Sequence, residues 1–320
     1  MAVITSGRPP GRLARLRGRF TTSRLRGRFT TSRLRGRFTT SRLRGRFTTS
    51  RLFGVPLVWA VAGFNVFTGL WLLLSSLKSA GEIFSSPWNL PHTLHWDNYA
   101  RAWTGGLFGQ AALNTVVVVA GTAVGTLVLA APAAYVLSRV TTRFNGGFIL
   151  FFALGLGIPA QVVMLPLFVV MNKLFLVDSL FGLVVVYVAT SLPFAVFFLT
   201  GFFSTLPVEL EEAAALDGAS SFRTFWQVML PLARGGLVTV LILNIIQHWG
   251  ETVFALVFIQ NTDHQTLSLA LLGFLQQMQY NGADWGGLFA GVAVVVLPVL
   301  ACYVWLGRRI IEGMTVGSVK

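Results

Sequence analysis

The chain is short of charge. Asp, Glu, Lys and Arg make up only 11% of its 320 residues, against about a quarter in soluble domains. It has one cysteine, Cys302, which excludes an intrachain disulfide framework and a cysteine-rich metal site. Its three lysines, Lys78, Lys173 and Lys320, stand in no G-x-x-x-x-G-K-[ST] loop, so a Walker phosphate cradle is excluded. Its four histidines, His92, His95, His248 and His264, form no H-x-x-x-H ligand pair. A G-x-S-x-G nucleophile elbow is missing too, since Gly218-Ala219-Ser220-Ser221 lacks the closing glycine. These gaps leave no site for covalent chemistry and no bound cofactor or metal, and the chain reads as a non-enzyme.

What the chain does have is hydrophobic residues, at 54%, and a net charge of +14. The charge is confined. Residues 1–51 hold 15 arginines and no acid, whereas residues 52–320 hold 10 basic and 11 acidic residues. The body is therefore near neutral, which excludes a basic nucleic-acid-binding domain, and no nucleic-acid partner is expected. The tail contains four copies of LRGRFTTSR, starting at Leu16, Leu25, Leu34 and Leu43. Glycine, Thr-Thr-Ser runs and like charges argue against helix there. Residues 1–51 read as a basic, disordered tail that reinforces topology; docking on anionic lipid headgroups or on RNA is the alternative use.

Residues 52–77, 102–138, 144–172, 179–208 and 285–307 are uncharged, and 235–262 carry only Glu251. Each run exceeds the roughly 20 residues a membrane-spanning helix needs. Six spans are expected: Val55–Leu77, Leu113–Leu137, Gly147–Met171, Leu180–Phe203, Gly236–Ile259 and Gly286–Leu306. The first is too long for a signal-peptide core and reads as an uncleaved anchor. With the N-terminus inside, the inner segments hold 22 Lys and Arg and the outer ones 3, so both termini are expected in the cytoplasm. Residues 52–320 form an all-α integral membrane domain on this reading, in a bacterial-type plasma membrane.

The long inner loop, residues 204–235, has the most texture. Thr205 is expected to cap a helix with Pro207 in its first turn, and Glu209, Glu211 and Glu212 suit the positive end of that helix. Asp217-Gly218 supplies a turn. Ser220 or Ser221 caps a second helix, which Pro231 ends or kinks. Phe222, Phe225, Trp226 and Met229 are expected on one face of it.

This loop resembles the EAA loop of ABC-importer permeases. The pattern is E-A-A, three residues, Gly, nine residues, then I-x-L-P. Here Glu212-Ala213-Ala214 is followed at those spacings by Gly218 and by Val228-Met229-Leu230-Pro231, with Val for Ile the one departure. Further likenesses are Asn98-Tyr99 and Asn114 before the second span, and Trp249-Gly250-Glu251 in the fifth, where Asn is usual at the middle position. The ending Gly313–Lys320 is similar to the carbohydrate-uptake branch, the shorter maltose-type permease, while Gly235 stands where many members carry Pro. The resemblance implies a six-helix permease bundle with a coupling helix that docks on an ATPase, through Glu211, Glu212, Ala213, Ala214, Asp217, Gly218, Leu230 and Pro231. It also implies two ATPase copies, a second homologous permease, an extracytoplasmic solute-binding protein and a sugar substrate.

A translocation pathway is sought among polar residues inside the spans. Asn244, Gln247, His248 and Glu251 recur at helical spacing in the fifth, beside Trp249, and Gln161 lies between Pro159 and Pro166 in the third, where a broken helix is expected. Bonding between spans is the competing use for such residues. The rival for the whole chain is a stand-alone secondary transporter or channel with Glu251 as its ion site. The EAA match and the lack of an inverted repeat count against it.

Overall fold

The structure, a computed structural model, describes residues 44–140 and 143–316. Among them every regular element is helical. The repeats up to residue 43 and the Gly317–Lys320 end lie outside the described residues. Two units divide the chain, residues 1–60 and 61–320.

The first helix, α1, is Arg44–Ser75. Residues 44–51 are thus helical, where the sequence argues against helix. A helix already nucleated by an apolar stretch extends by one hydrogen bond per residue, which overrides weak local propensity. Val55–Ser75 is long and apolar enough to span a membrane, and in its best window no residue is buried within the chain.

In the larger unit, two short helices, α2 (Ala80–Ser85) and α3 (Asp97–Gly105), precede α4 (Phe108–Arg139). Ser79 and Glu82 form a capping box at the start of α2. Lys78 is buried there, and its ammonium donates to the carbonyls of Ser86 and Pro87 at 3.1 and 2.9 Å. Next come α5 (Asn145–Gly157), α6 (Ala160–Lys173) and α7 (Leu180–Ser204). The core is the parallel pair α4 and α7. A Cβ on Gly121 would lie 3.2 Å from Val184, and one on Gly125 3.0 Å from Val188, so the two glycines let the backbones approach. Farther along, the Tyr135 and Phe203 rings meet edge-on at 5.7 Å.

The loop after α7 contains α8 (Glu209–Leu216), α9 (Ser221–Thr224), a π turn at Phe225–Met229 and α10 (Leu230–Leu232). Then follow α11 (Arg234–Trp249), α12 (Val253–Phe258), a 3-10 turn at Thr262–His264, α13 (Leu267–Asn281) and α14 (Trp285–Val316). α11 runs back along α7, with Gly236 seated on the Phe202 ring and His248 beside Ser191. Among the described residues four helices are long and apolar enough to cross a membrane, and up to six candidates result if each bent pair counts as one span.

The break expected in the third span is present, and the fifth span is corrected. The third is bent by 103° between α5 and α6. The break falls at Ile158–Pro159, before Gln161, and Pro166 is inside α6. Pro159 lacks an N–H and disfavours helix in the residue before it, which places the break. The fifth ends at Trp249 instead of Ile259. Gly250 caps α11, and the Glu251 carboxylate accepts from the N–H groups of Phe254 and Ala255 at 2.9 and 3.2 Å, starting α12 afresh.

α3 and α14 are joined by Arg101, whose Nε and Nη2 donate to Asp284 at 2.8 and 3.2 Å. Asp284 also accepts from the Gly287 N–H at 2.9 Å and so caps α14. The Arg101 bonds hold the Asp284 carboxyl below its ordinary range, and burial opposes them only in part. A depressed folded-state pKa stabilises above the unfolded value and ceases to do so as pH falls through the folded value. Asp284→Asn is therefore expected to lower the melting midpoint at pH 7, by an amount equivalent to at most about 1 kcal/mol for so exposed a pair. The deficit should shrink as pH falls below the usual carboxylate range and through the lowered value of Asp284. Melting curves of purified protein across pH check this.

Candidate functional site

The loop between α7 and α11 is built by local capping. Thr205 does not start α8. It closes α7, its hydroxyl donating to the Phe202 carbonyl at 2.7 Å, and α8 begins two residues beyond Pro207. Thr205 cannot serve both helices, and a hydroxyl next to four unsatisfied C-terminal carbonyls finds an acceptor first. α8 ends in a Schellman motif: Ala219 N–H donates to Ala214 C=O at 2.9 Å and Gly218 N–H to Ala215 C=O at 3.0 Å. Gly218 has φ +79°, the left-handed conformation that motif needs. Ser220 caps α9, its Oγ accepting from the Arg223 N–H at 3.3 Å.

The second helix is not regular. Pro231 has no N–H for the carbonyl four residues back, and its ring crowds that carbonyl. The chain responds with the π turn at Phe225–Met229, where Leu230 N–H reaches Phe225 C=O. That extra residue rotates the face. Phe225 and Met229 are buried, while Phe222 is 74% and Trp226 51% exposed. The expected single apolar face is thus split. Together with Leu216, 90% exposed, Phe222 and Trp226 leave large apolar groups uncovered on this loop.

Of the residues expected at the dock, Glu212, Ala213, Asp217, Gly218 and Pro231 are exposed and Leu230 is half-buried. Ala214 is buried under the loop. Glu211 is turned inward: it accepts from Arg139 Nε at 2.6 Å and from the Tyr135 hydroxyl at 3.1 Å. Tyr135 and Arg139 were legible only as the polar end of an apolar run. Their i, i+4 spacing put both on one face at the end of α4.

The six residues expected on the pathway separate. Gln161 and Gln247 are exposed. Asn244 and His248 are buried, with His248 Nδ1 bonded to the Asn244 carbonyl at 2.9 Å and Nε2 at 3.4 Å from Ser191 Oγ. Glu251 accepts from the Tyr187 hydroxyl as well as capping α12, and the Tyr187 ring lies 4.5 Å from that of His248. Trp249 Nε1 donates to the Val295 carbonyl at 3.0 Å. The expected stripe along one helix is thus divided, because Glu251 lies past the end of α11. Asn244 Oδ1 is buried and has no partner among the described residues. Two cavities went unread in the sequence. One, of about 430 Å³, opens at the α5–α6 bend and is apolar apart from Thr190. The other, of about 360 Å³, lies where α3 meets α4 and is lined by Gln265, Gln276, Gln277, Thr262 and Tyr280, groups suited to hydroxyl-bearing solutes. Among the described residues there is no cluster of His, Cys, Asp or Glu fit for a metal ion.

Among the described residues, an all-helical arrangement with several helices apolar enough to span, and a capped helix–turn–helix between two of them, is that of a multi-pass membrane protein. Residues 126–316 match the family described as binding-protein-dependent transport system inner membrane component. The chain is 38% identical over 253 residues to the diacetylchitobiose uptake system permease protein NgcG of Streptomyces coelicolor, covering 78% of this chain and 83% of that protein. It is 33% identical over 262 residues to the trehalose transport system permease protein SugB of Mycobacterium tuberculosis, covering 81% and 94%. Its fold is similar to a chain of a bacterial ABC transporter involved in import of the acidic polysaccharide alginate, with TM-score 0.69 at 23% identity over 81% of this chain and 97% of that one. The chain belongs to the binding-protein-dependent transport inner-membrane family. It is an ABC-transporter permease of the bacterial plasma membrane and not an enzyme, ATP hydrolysis residing in a separate subunit.

Proposed function

We propose that this chain forms half of the translocation pathway of an ABC importer for a sugar or oligosaccharide. Six spans place both termini and residues 204–235 in the cytoplasm, after a basic tail of residues 1–51. The loop docks on one of two ATPase copies. A second permease completes the pathway, and an extracytoplasmic solute-binding protein delivers the solute. The observation that carries this is the loop itself: the Glu212-Ala213-Ala214 helix closes on Gly218 in a Schellman turn and leaves Leu216, Phe222 and Trp226 uncovered. The sugar class is supported by the diacetylchitobiose and trehalose permeases among its relatives.

The test is purification of the tagged chain in mild detergent. A bound ATPase and a second permease are the expected result; a solitary chain that transports in liposomes would establish the rival reading. For the pathway we place Gln161, Asn244, Gln247, His248, Trp249 and Glu251 along it, since two are exposed and Asn244 keeps a free acceptor. Asn244→Ala and Gln247→Ala are expected to reduce uptake several-fold at unchanged membrane abundance. Wild-type uptake in both variants would end the pathway claim.

A further inference from the structure

Glu211 stands beside the exposed Glu212, yet it points the other way. Its carboxylate takes one bond from Arg139 Nε at 2.6 Å and one from the Tyr135 hydroxyl at 3.1 Å. Arg139 Nη2 donates to the Leu206 carbonyl at 2.8 Å, ahead of α8. The Tyr135 ring touches Phe203 at the end of α7 and Phe225 in the π turn, with centroids 5.7 and 5.1 Å away. The start of the loop and its π turn are therefore fastened to one turn of α4. The Arg139 and Glu211 side chains are only 12% and 19% exposed, so water screens this pair far less than a surface pair.

The opposite end of α4 is fastened too. Asn114 Nδ2 donates to the carbonyls of Asp263 and Gln265 at 2.8 and 2.9 Å, and Thr115 Oγ1 accepts from the Leu267 N–H at 2.7 Å. Asn114 and Tyr135 belong to the same unbroken helix, and their spacing corresponds to roughly 31 Å at 1.5 Å per residue. One helix thus bears bonded loops at its two ends.

We propose that Tyr135 and Arg139 are positioning residues that fasten the EAA-type loop to α4, so that α8 and α4 move as one body and displacement of the loop reaches the Asn114 end. This rests on the reading of that loop as the ATPase dock. Coupling of this kind is reciprocal: what the Asn114 end senses must bias the loop by the same free energy.

The test uses the assembled complex in nanodiscs, on a Cys302→Ser background, with nitroxide labels at Ala215→Cys on α8 and Val136→Cys on α4. The otherwise unaltered complex is expected to give one narrow label–label distance, the same without nucleotide and with vanadate-trapped ADP. In Arg139→Gln and in the milder Tyr135→Phe the distribution is expected to broaden and to shift between those states, while the ATPase stays bound and hydrolyses ATP. Stimulation of hydrolysis by the solute-binding protein is expected to fall by about fivefold or more, the range of coupling energies between sites. The reciprocal swap Arg139→Glu with Glu211→Arg should narrow the distribution again. Narrow, nucleotide-independent distances in both Arg139→Gln and Tyr135→Phe would overturn the proposal. Failure of the ATPase to bind the unaltered complex would instead sink the docking reading, and the proposal with it.

Discussion

Gly218→Pro is expected to leave the chain inserted in the membrane and to abolish coupled uptake. The native φ of +79° is out of reach of proline, whose ring holds φ near −65°. Proline also removes the N–H that donates to Ala215 C=O. The Schellman turn therefore cannot form, and α8 loses its fixed direction relative to α9. A penalty of about 3 kcal/mol on the native turn corresponds to more than a hundredfold loss of the docking-competent loop. A graded series separates conformation from crowding. Nothing lies within 4 Å of a Cβ built on Gly218, so side-chain size should not matter. Asn, which tolerates the left-handed region, is expected near wild type. Ala should lose somewhat more, since that region costs an L-residue about 1–2 kcal/mol. Uptake and ATPase co-purification, each normalised to permease in the membrane, are the measurements. An order that follows size, or wild-type uptake with proline, would refute the role of the turn.

The long uncharged runs made the span positions legible, because a charge at bilayer depth costs more than any local preference returns. Leu180–Phe203 was expected and α7 is Leu180–Ser204. The Gly218 turn was legible for a related reason: Asp-Gly after a run of helix formers allows few backbones. The break in the third span was legible from Pro159, but the one in the fifth was harder. A run such as residues 235–262 has hydropathy enough to continue, and what stops it is Glu251, which holds two N–H groups and a hydroxyl from Tyr187 on another helix. That partner is 64 residues away in sequence. The orientation of Glu211 was hidden likewise. Adjacent glutamates on a short helix differ by one rotation step, and only the position of Arg139 decides which of them turns inward. The π turn escaped because periodicity assumes a constant register, and Pro231 changes it after the aromatic run has begun.

Gly182→Ala is expected to be the most destabilising glycine-to-alanine change among the described residues, though it sits in an apolar run where a glycine attracts no notice. A Cβ there would lie 1.8 Å from the Leu176 carbonyl oxygen and 2.9 Å from Ser179 Oγ. The obstacle is backbone, so no rotamer change relieves it. The connection from α6 to α7 is also held from several sides. Ser179 Oγ accepts from the Gly182 N–H at 2.9 Å and donates to that same Leu176 carbonyl at 3.1 Å. Asp178 N–H donates to Phe258 C=O at 2.8 Å, and Asp178 Oδ1 accepts from the Gln260 and Asn261 N–H groups at 2.9 and 2.8 Å. Phe175 and Asp178 already carry positive φ, 56° and 60°, strain that persists because these contacts over-determine the path. Retreat of Leu176 by the ångström or more that a methyl requires must break that set. The expected cost is about 3 kcal/mol or more, in the range reserved for a named structural failure. Gly273→Ala in α13 is the control, since no atom lies within 4 Å of its Cβ position. Ala should be neutral there or stabilising by up to about 1 kcal/mol. Melting midpoints and membrane abundance of the two variants decide the matter. Equal behaviour would mean that the connection is free to move, and that its bonds to Phe258, Gln260 and Asn261 do not hold it.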